Sequence, residues 1–282
     1  MFVELTGGLA NQLFQWAAGR VLADEFGADL RLDTRLVDRP DGRGAQVQKL
    51  VREQRLRRPS AREASAWEAV HSHLPSKAVG VLKRLRRLTY AVGWSTARTY
   101  REARAVLSRG KSVRLSGLFQ DVAEVIPHRT ALRDRIVLPT TDHLADEPLY
   151  AAVHVRRGDY VANEKYAATF GSCSPEYYRE GLMLCNPEYP VVLVTDDREW
   201  SEQFGRTIVG RDVRVSAAAD HFEDFAVLSR ASDIVLSNST FSWWAAFLSE
   251  ASVVVAPSPW FTDTTRDRGL VLSDWVELAR GA

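Results

Sequence analysis

The feature that most constrains this chain is the alternation, in its C-terminal half, of short apolar runs with amphipathic stretches. Leu149 to Val155, Val191 to Val194, Asp233 to Leu236 and Ser252 to Ala256 read as buried strands. Pro175 to Cys185, His221 to Arg230 and Thr240 to Glu250 read as helices between them. A strand that is apolar at consecutive positions must be covered on both faces, and a parallel sheet between two helix layers does this. The N-terminus repeats the theme: a strand at 2–5, a Gly7-Gly8 turn, a helix from Asn11 to Phe26 stopped by Gly27, and a strand from Ala28 to Leu32. The expectation is an α/β chain with two facing Rossmann-like domains, each with a parallel sheet. The domains are 1–145 and 146–282, with the boundary in the Thr-, Asp- and Pro-rich stretch Pro139 to Pro148.

Composition excludes several classes. A formal net charge of +1 gives no reason to expect a nucleic-acid partner. Cys173 and Cys185 are the two cysteines, and neither sits at a metal-ligand spacing, so reduced thiols are expected. The opening Phe2-Val3-Glu4-Leu5 lacks the basic start and apolar core of a signal peptide, and no run of about 18 apolar residues follows. The expected location is the cytoplasm. Residues 39–114 differ from the rest, with 19 Lys plus Arg against 5 Asp plus Glu. Clusters such as Arg55 to Arg58 and Lys83 to Arg87 read either as solvated helix faces or as a basic surface. Such a surface would attract an anionic acceptor or, through residues 79–94, make weak contact with an anionic membrane face.

Three motifs carry chemistry. His154-Val155-Arg156-Arg157-Gly158-Asp159-Tyr160 lies at the carboxyl end of a predicted buried strand, where open α/β sheets bind ligands. Two adjacent arginines there suit phosphate oxygens, which a guanidinium meets bidentately, and Gly158 permits a sharp turn. The alternative is a surface arginine pair bridged to Asp159. Ser237-Asn238-Ser239-Thr240-Phe241-Ser242-Trp243-Trp244 also follows a strand and opens a helix. Its free N–H groups and hydroxyls suit a diphosphate, or else Asn238 or Ser239 is an ordinary N-cap. Gly7-Gly8-Leu9-Ala10-Asn11-Gln12-Leu13-Phe14 lets the backbone approach a ligand closely but lacks the G-x-G-x-x-G spacing of dinucleotide sites. Arg109-Gly110-Lys111-Ser112 is not a P-loop, because Ala105 stands where its first glycine belongs. G-x-S-x-G, H-E-x-x-H and Asp-x-Asp are absent from the sequence.

Taken in order, these motifs together with Gly117-Leu118-Phe119-Gln120, Thr195-Asp196-Asp197, Asp224-Phe225-Ala226-Val227-Leu228-Ser229 and Ala256-Pro257-Ser258-Pro259-Trp260-Phe261 resemble the α-1,2-fucosyltransferase family, glycosyltransferase family 11. Residues of about 36–112 match that family poorly. The resemblance implies a GT-B-type fold, a GDP-fucose donor, a carbohydrate or small-molecule acceptor, inversion at the anomeric carbon and no metal or other cofactor. It implies that Arg156 meets the β-phosphate of the departing GDP and that Arg157 supports the loop or a neighbouring carboxylate. Gly8, Asn11, His154, Asn238, Ser239, Thr240 and Ser242 fall with them on the donor side. Asp224 would read guanine, whose N1–H and N2–H₂ its oxygens can accept; otherwise it is a solvated helix carboxylate. Glu164 and Asp159 are the candidate bases for the acceptor hydroxyl. Two other readings stand beside this one: transfer of another GDP-deoxysugar, and a non-catalytic sugar-nucleotide or glycan-binding protein.

Overall fold

A computed structural model of the chain describes residues 1–52, 94–141, 144, 146, 148–264 and 269–281. The clusters at 55–58 and 83–87, and the membrane-contact stretch up to residue 93, lie outside the described residues. The chain forms two compact units, Met1–Val137 and Leu138–Ala282, so the division falls just ahead of the Pro139 to Pro148 stretch.

The N-terminal unit runs β1 (Phe2–Glu4), α1 (Leu9–Phe26), β2 (Arg31–Asp33), β3 (Trp94–Ala97), α2 (Tyr100–Leu107), β4 (Ser112–Leu115), α3 (Val122–Val125) and α4 (Arg129–Arg133). Among the described residues its four strands pair in parallel in the order β2-β1-β4-β3. Helix α1 starts two residues earlier than predicted and ends, as predicted, at Gly27 in the left-handed region at φ 59°. It is buried nearly all round, Gln12 and Gln15 included, so those amides need partners. Gln12 donates to the carbonyls of Gly7 and Gly44 and accepts from Val47 N–H. Gln15 donates to the Thr6 hydroxyl and the Gly117 carbonyl and accepts from Thr6 N–H. The two amides thus lace together the loops after β1, β2 and β4.

The C-terminal unit runs β5 (Ala151–Val155), α5 (Gly158–Ala162), α6 (Glu164–Thr169), α7 (Pro175–Leu184), β6 (Val191–Thr195), α8 (Arg198–Gly205), β7 (Val213–Val215), α9 (His221–Arg230), β8 (Asp233–Val235), α10 (Thr240–Leu248), β9 (Val253–Ser258) and β10 (Val276–Ala279). The six strands among the described residues are all parallel, in the order β10-β9-β8-β5-β6-β7. Every residue of β5 is buried, as the apolar run required. Helix α10 buries Trp243, Trp244 and Phe247, with the Trp243 and Phe247 rings stacked at 4.8 Å and Trp243 Nε1 donating to the Leu270 carbonyl. Each such aromatic contributes roughly 1.5–3 kcal/mol of burial. Cys173 and Cys185 are buried free thiols, and burial raises Cys173 to about 11 and Cys185 to about 12. No helix among the described residues is long and apolar enough to cross a membrane.

Candidate active site

Strand order locates the site. From β5 the chain steps through β6 to β7 on one side, then returns to lay β8, β9 and β10 on the other. The reversal falls between β5 and β8, and in open α/β sheets ligands bind at the carboxyl ends of the strands flanking such a reversal. Arg156 and Arg157 follow β5, and Ser237 to Thr240 follow β8 after one residue. Two sequence motifs about 80 residues apart thus flank one crevice of the C-terminal unit.

His154 and Ser237 tie the two strand ends, with Nδ1 and Oγ 2.6 Å apart. The imidazole is buried, with its ring 5.5 Å from that of Phe241. Burial lowers its pKa, Asp196 opposes the shift and Arg156 adds to it, which leaves it at about 3. His154 is therefore neutral, and its Nδ1 is engaged with Ser237 inside the fold. Tyr160 crosses the same gap, donating its hydroxyl to the Asn238 carbonyl at 3.4 Å.

The arginines diverge, each onto its own carboxylate. Arg156 Nη1 is 2.9 Å from Asp196 Oδ2, and its guanidinium lies 5.4 Å from the Tyr160 ring centre. Arg157 Nε donates to Asp197 Oδ2 at 3.2 Å, and its guanidinium sits 4.4 Å over Trp200. Asp197 also caps α8 by accepting from Trp200 N–H. A carboxylate from the neighbouring strand end, Asp196, thus meets the Arg156 guanidinium. Strands β5 and β6 pair with Val155 opposite Thr195, so the residue after each strand neighbours the other. Gly158 also departs from expectation. It does not have positive φ. A Cβ there would stand 2.8 Å from Asp196 Oδ2, so the glycine serves the close approach of that carboxylate and not a left-handed turn.

In the second motif the side chains divide between structure and surface. Asn238 Nδ2 donates to the carbonyls of Phe170, Gly171 and Trp260, and the residue is 1 % exposed. Ser242 Oγ donates to the carbonyls of Ser237 and Ser239 from a fully buried position. Both side chains hold the loop after β8. Ser239 is the N-cap of α10, accepting from Phe241 N–H. Thr240, the first residue of that helix, is half-exposed.

Asp224 lies in the first turn of α9, half-buried, with Oδ1 accepting from the Ser216 hydroxyl at 2.8 Å. The neighbouring Phe225 packs edge-on against Phe241 of α10, 5.4 Å between centres, which joins α9 to the start of α10. Glu164 is exposed at the start of α6, and Asp159 lies in α5.

Gly8 and Asn11 belong to the other unit. Gly8 is the N-cap of α1 at φ −86°, so its backbone does not demand glycine; Gly7, at φ 74°, does. Asn11 Oδ1 accepts from Gln120 Nε2 at 3.1 Å, so two motifs of the resemblance meet through a side-chain pair. Phe119 holds the left-handed region at φ 53°, buried edge-on against Tyr100. A bulky residue there is strained and is held by its surroundings, here next to the residue that reaches Asn11.

Two pockets of about 430 Å³ occur in the C-terminal unit. One lies along β7 and touches none of these residues; the other reaches only Arg157. Strand order and the side chains at the ends of β5 and β8 define the switch-point crevice. Among the described residues no cluster of three or more His, Cys, Asp or Glu is arranged to hold a metal ion.

Comparison with known proteins bears on this geometry. The sequence profile of Glycosyl transferase family 11 matches residues 112–279, more than half of the chain. Alpha-1,2-colitosyltransferase of Escherichia coli is 27 % identical over 273 residues, covering 92 % of this chain and 91 % of that one. Galactoside alpha-(1,2)-fucosyltransferase 1 of Homo sapiens is 29 % identical over 140 residues, which is 45 % of this chain and 38 % of that enzyme. Among solved structures, fucosyltransferase NodZ from Bradyrhizobium is 15 % identical and covers 88 % of this chain and 92 % of its own, with a TM-score of 0.53. A structure of NodZ alpha-1,6-fucosyltransferase soaked with GDP-fucose is 16 % identical, covers 88 % and 91 %, and has a TM-score of 0.51. At these identities the structural likeness speaks to the fold, which is α/β of the GT-B type with two parallel-sheet units.

Proposed function

We propose that this chain, which belongs to glycosyl transferase family 11, moves L-fucose from GDP-fucose to a hydroxyl of a glycan or small-molecule acceptor. Inversion at the anomeric carbon without a metal ion is part of the proposal. The observation that carries it is the arginine pair and the N-terminus of α10 flanking one switch point. Breaking the sugar–phosphate bond puts charge on the β-phosphate while the sugar becomes oxocarbenium-like. Arg156 supplies a cation at that point, and the first turn of α10 supplies N–H groups and the Thr240 hydroxyl. Asp224, oriented by Ser216, accepts from the guanine N1–H and N2–H₂. Uracil and adenine do not present that pair of donors. Glu164 or Asp159 takes the acceptor proton as the new bond forms on the opposite face. The missing Asp-x-Asp pair supports the metal-free mechanism, because cationic side chains then carry the charge that a divalent ion would otherwise neutralise.

One comparison favours a second reading of the donor. The E. coli relative that spans nearly all of this chain is named for the transfer of colitose rather than fucose. A site of this kind would accept another GDP-deoxysugar. A donor screen tests both readings. GDP-fucose, other GDP-sugars and UDP-sugars are scored for binding and for slow hydrolysis, with and without EDTA. The proposal expects GDP-deoxysugars to be bound and hydrolysed in EDTA. Equal use of UDP-sugars, or loss of all turnover in EDTA with recovery on adding Mg²⁺, would overturn it.

A further inference from the structure

We infer that Asp196 is the positioning residue of this site: it fixes the Arg156 guanidinium and the loop that carries it in a single arrangement. The inference rests on the reading of Arg156 as the group that meets the departing diphosphate.

Asp196 stands one residue beyond β6, directly across from Arg156 at the end of β5. Its two oxygens do separate work. Oδ1 accepts from two successive backbone N–H groups, Arg157 at 2.8 Å and Gly158 at 3.1 Å. Oδ2 meets Arg156 Nη1 at 2.9 Å. One carboxylate therefore grips both the backbone after β5 and the side chain that the backbone presents. Gly158 completes the arrangement, because any Cβ at 158 would push into Oδ2.

The pair is poorly placed for a stabilising role. The side chains of Arg156 and Asp196 are 33 % and 28 % exposed, and ion pairs that open to water contribute little to folding. What the geometry achieves is orientation. A long, rotamer-rich arginine is restrained at a strand end before a ligand arrives, so less of its freedom is lost in the reaction. The neighbouring carboxylate has a different assignment: Asp197 caps α8 and holds Arg157 over Trp200. Asp196 thus meets the side chain of Arg156, and Asp197 that of Arg157.

The test combines Asp196→Asn, Asp196→Glu, Arg156→Lys and the double variant Arg156→Lys/Asp196→Asn. Each is measured for kcat and donor KM with GDP-fucose or the best donor found, and for melting temperature. Asparagine keeps an oxygen for the two N–H groups but turns an N–H₂ donor towards Arg156. Asp196→Asn should lower kcat about tenfold or more while changing donor KM less than about threefold. Asp196→Glu restores the charge and should recover part of the lost kcat. The double variant should be within about twofold of Arg156→Lys alone, because Asp196 acts through Arg156. Three results overturn the inference. One is Asp196→Asn turning over at the parental rate. Another is a double variant slower by the product of the two single effects. The third is a lowered melting temperature with kcat per folded molecule unchanged, which should be read on Asp196→Glu if the Asn variant does not fold. A fully active Arg156→Lys is a different failure: it removes the catalytic reading of Arg156, and this inference goes with it.

Discussion

Replacing Gly158 with alanine probes the closest packing in the site. A Cβ at 158 would lie 2.8 Å from Asp196 Oδ2 and 3.2 Å from Cγ. Neither the backbone of 158, at the start of α5, nor its φ obstructs alanine, so the whole effect must come through Asp196. To regain ordinary contact the carboxylate must retreat by roughly 0.6 Å, which weakens the bonds from Arg157 N–H and Gly158 N–H, now 2.8 and 3.1 Å. Hydrogen bonds to a charged group contribute about 1.5–3 kcal/mol each when fully formed, but this carboxylate is partly exposed and water replaces part of the loss. The expected cost is about 1–2 kcal/mol, which corresponds to a melting temperature lowered by roughly 2–8 °C in a domain of this size. Turnover should fall further than stability, because the same movement releases Arg156. Gly8→Ala is the control: its Cβ would find nothing nearer than Arg43 Cδ at 3.7 Å, and φ is −86°. It should change stability by less than about 0.5 kcal/mol. Thermal unfolding and donor turnover on the same samples decide the matter. A Gly158→Ala protein with parental melting temperature and parental kcat would refute the reasoning.

Asp224→Ala should weaken GDP binding roughly ten- to a hundredfold, the scale of losing a charged hydrogen-bond partner, and calorimetry checks it. Equal affinity of the parent for GDP and UDP would remove the guanine assignment. His154 is held neutral by burial, with its pKa lowered to about 3 against an ordinary value near 6.5. The unfolded chain therefore binds the extra proton between those values. Stability from this group is complete above about pH 6.5 and is lost as pH falls towards 3, with a slope of up to about 1.4 kcal/mol per pH unit. Denaturant titrations at several pH values should show a shallower slope in His154→Asn; an unchanged slope counts against the assignment. Asn238→Asp would set a carboxylate against the carbonyls of Phe170, Gly171 and Trp260, costing about 2–4 kcal/mol in the melting profile, and a fully stable variant would contradict the loop-holding role.

The strands that could be read from the sequence are those whose residues are apolar on both faces. Ala151 to Val155 and Val191 to Thr195 are buried along almost their whole length, and their continuous apolar runs announce it. Val213-Arg214-Val215 and Val276-Glu277-Leu278-Ala279 are edge strands, half-buried or exposed, and their short mixed runs give no such signal. The motifs at Arg156 and Ser239 were visible, but their juxtaposition was not. It depends on β8 pairing with β5 rather than with β7, and strand order is a tertiary property. The same limit hid the partners of the arginines, since Asp196 and Asp197 come into reach only through the β5–β6 register. The burial of Asn238 and its bonds to three carbonyls were hidden too, because Phe170, Gly171 and Trp260 come together only in the tertiary fold. Gln12 and Gln15 carried a usable signal: two amides on one buried helix face must be satisfied by something nearby.

The most direct test of the account is the turnover of Arg156→Lys, measured with GDP binding and melting temperature on one preparation. Lysine keeps the positive charge and loses the planar fork, so a group that stabilises charge on the departing diphosphate should be impaired by it. The account predicts a kcat lower by about two orders of magnitude or more, the scale of removing one preorganised donor, with a melting temperature close to the parent's. The opposite pattern, a destabilised protein whose folded fraction turns over GDP-fucose at the parental rate, would contradict it.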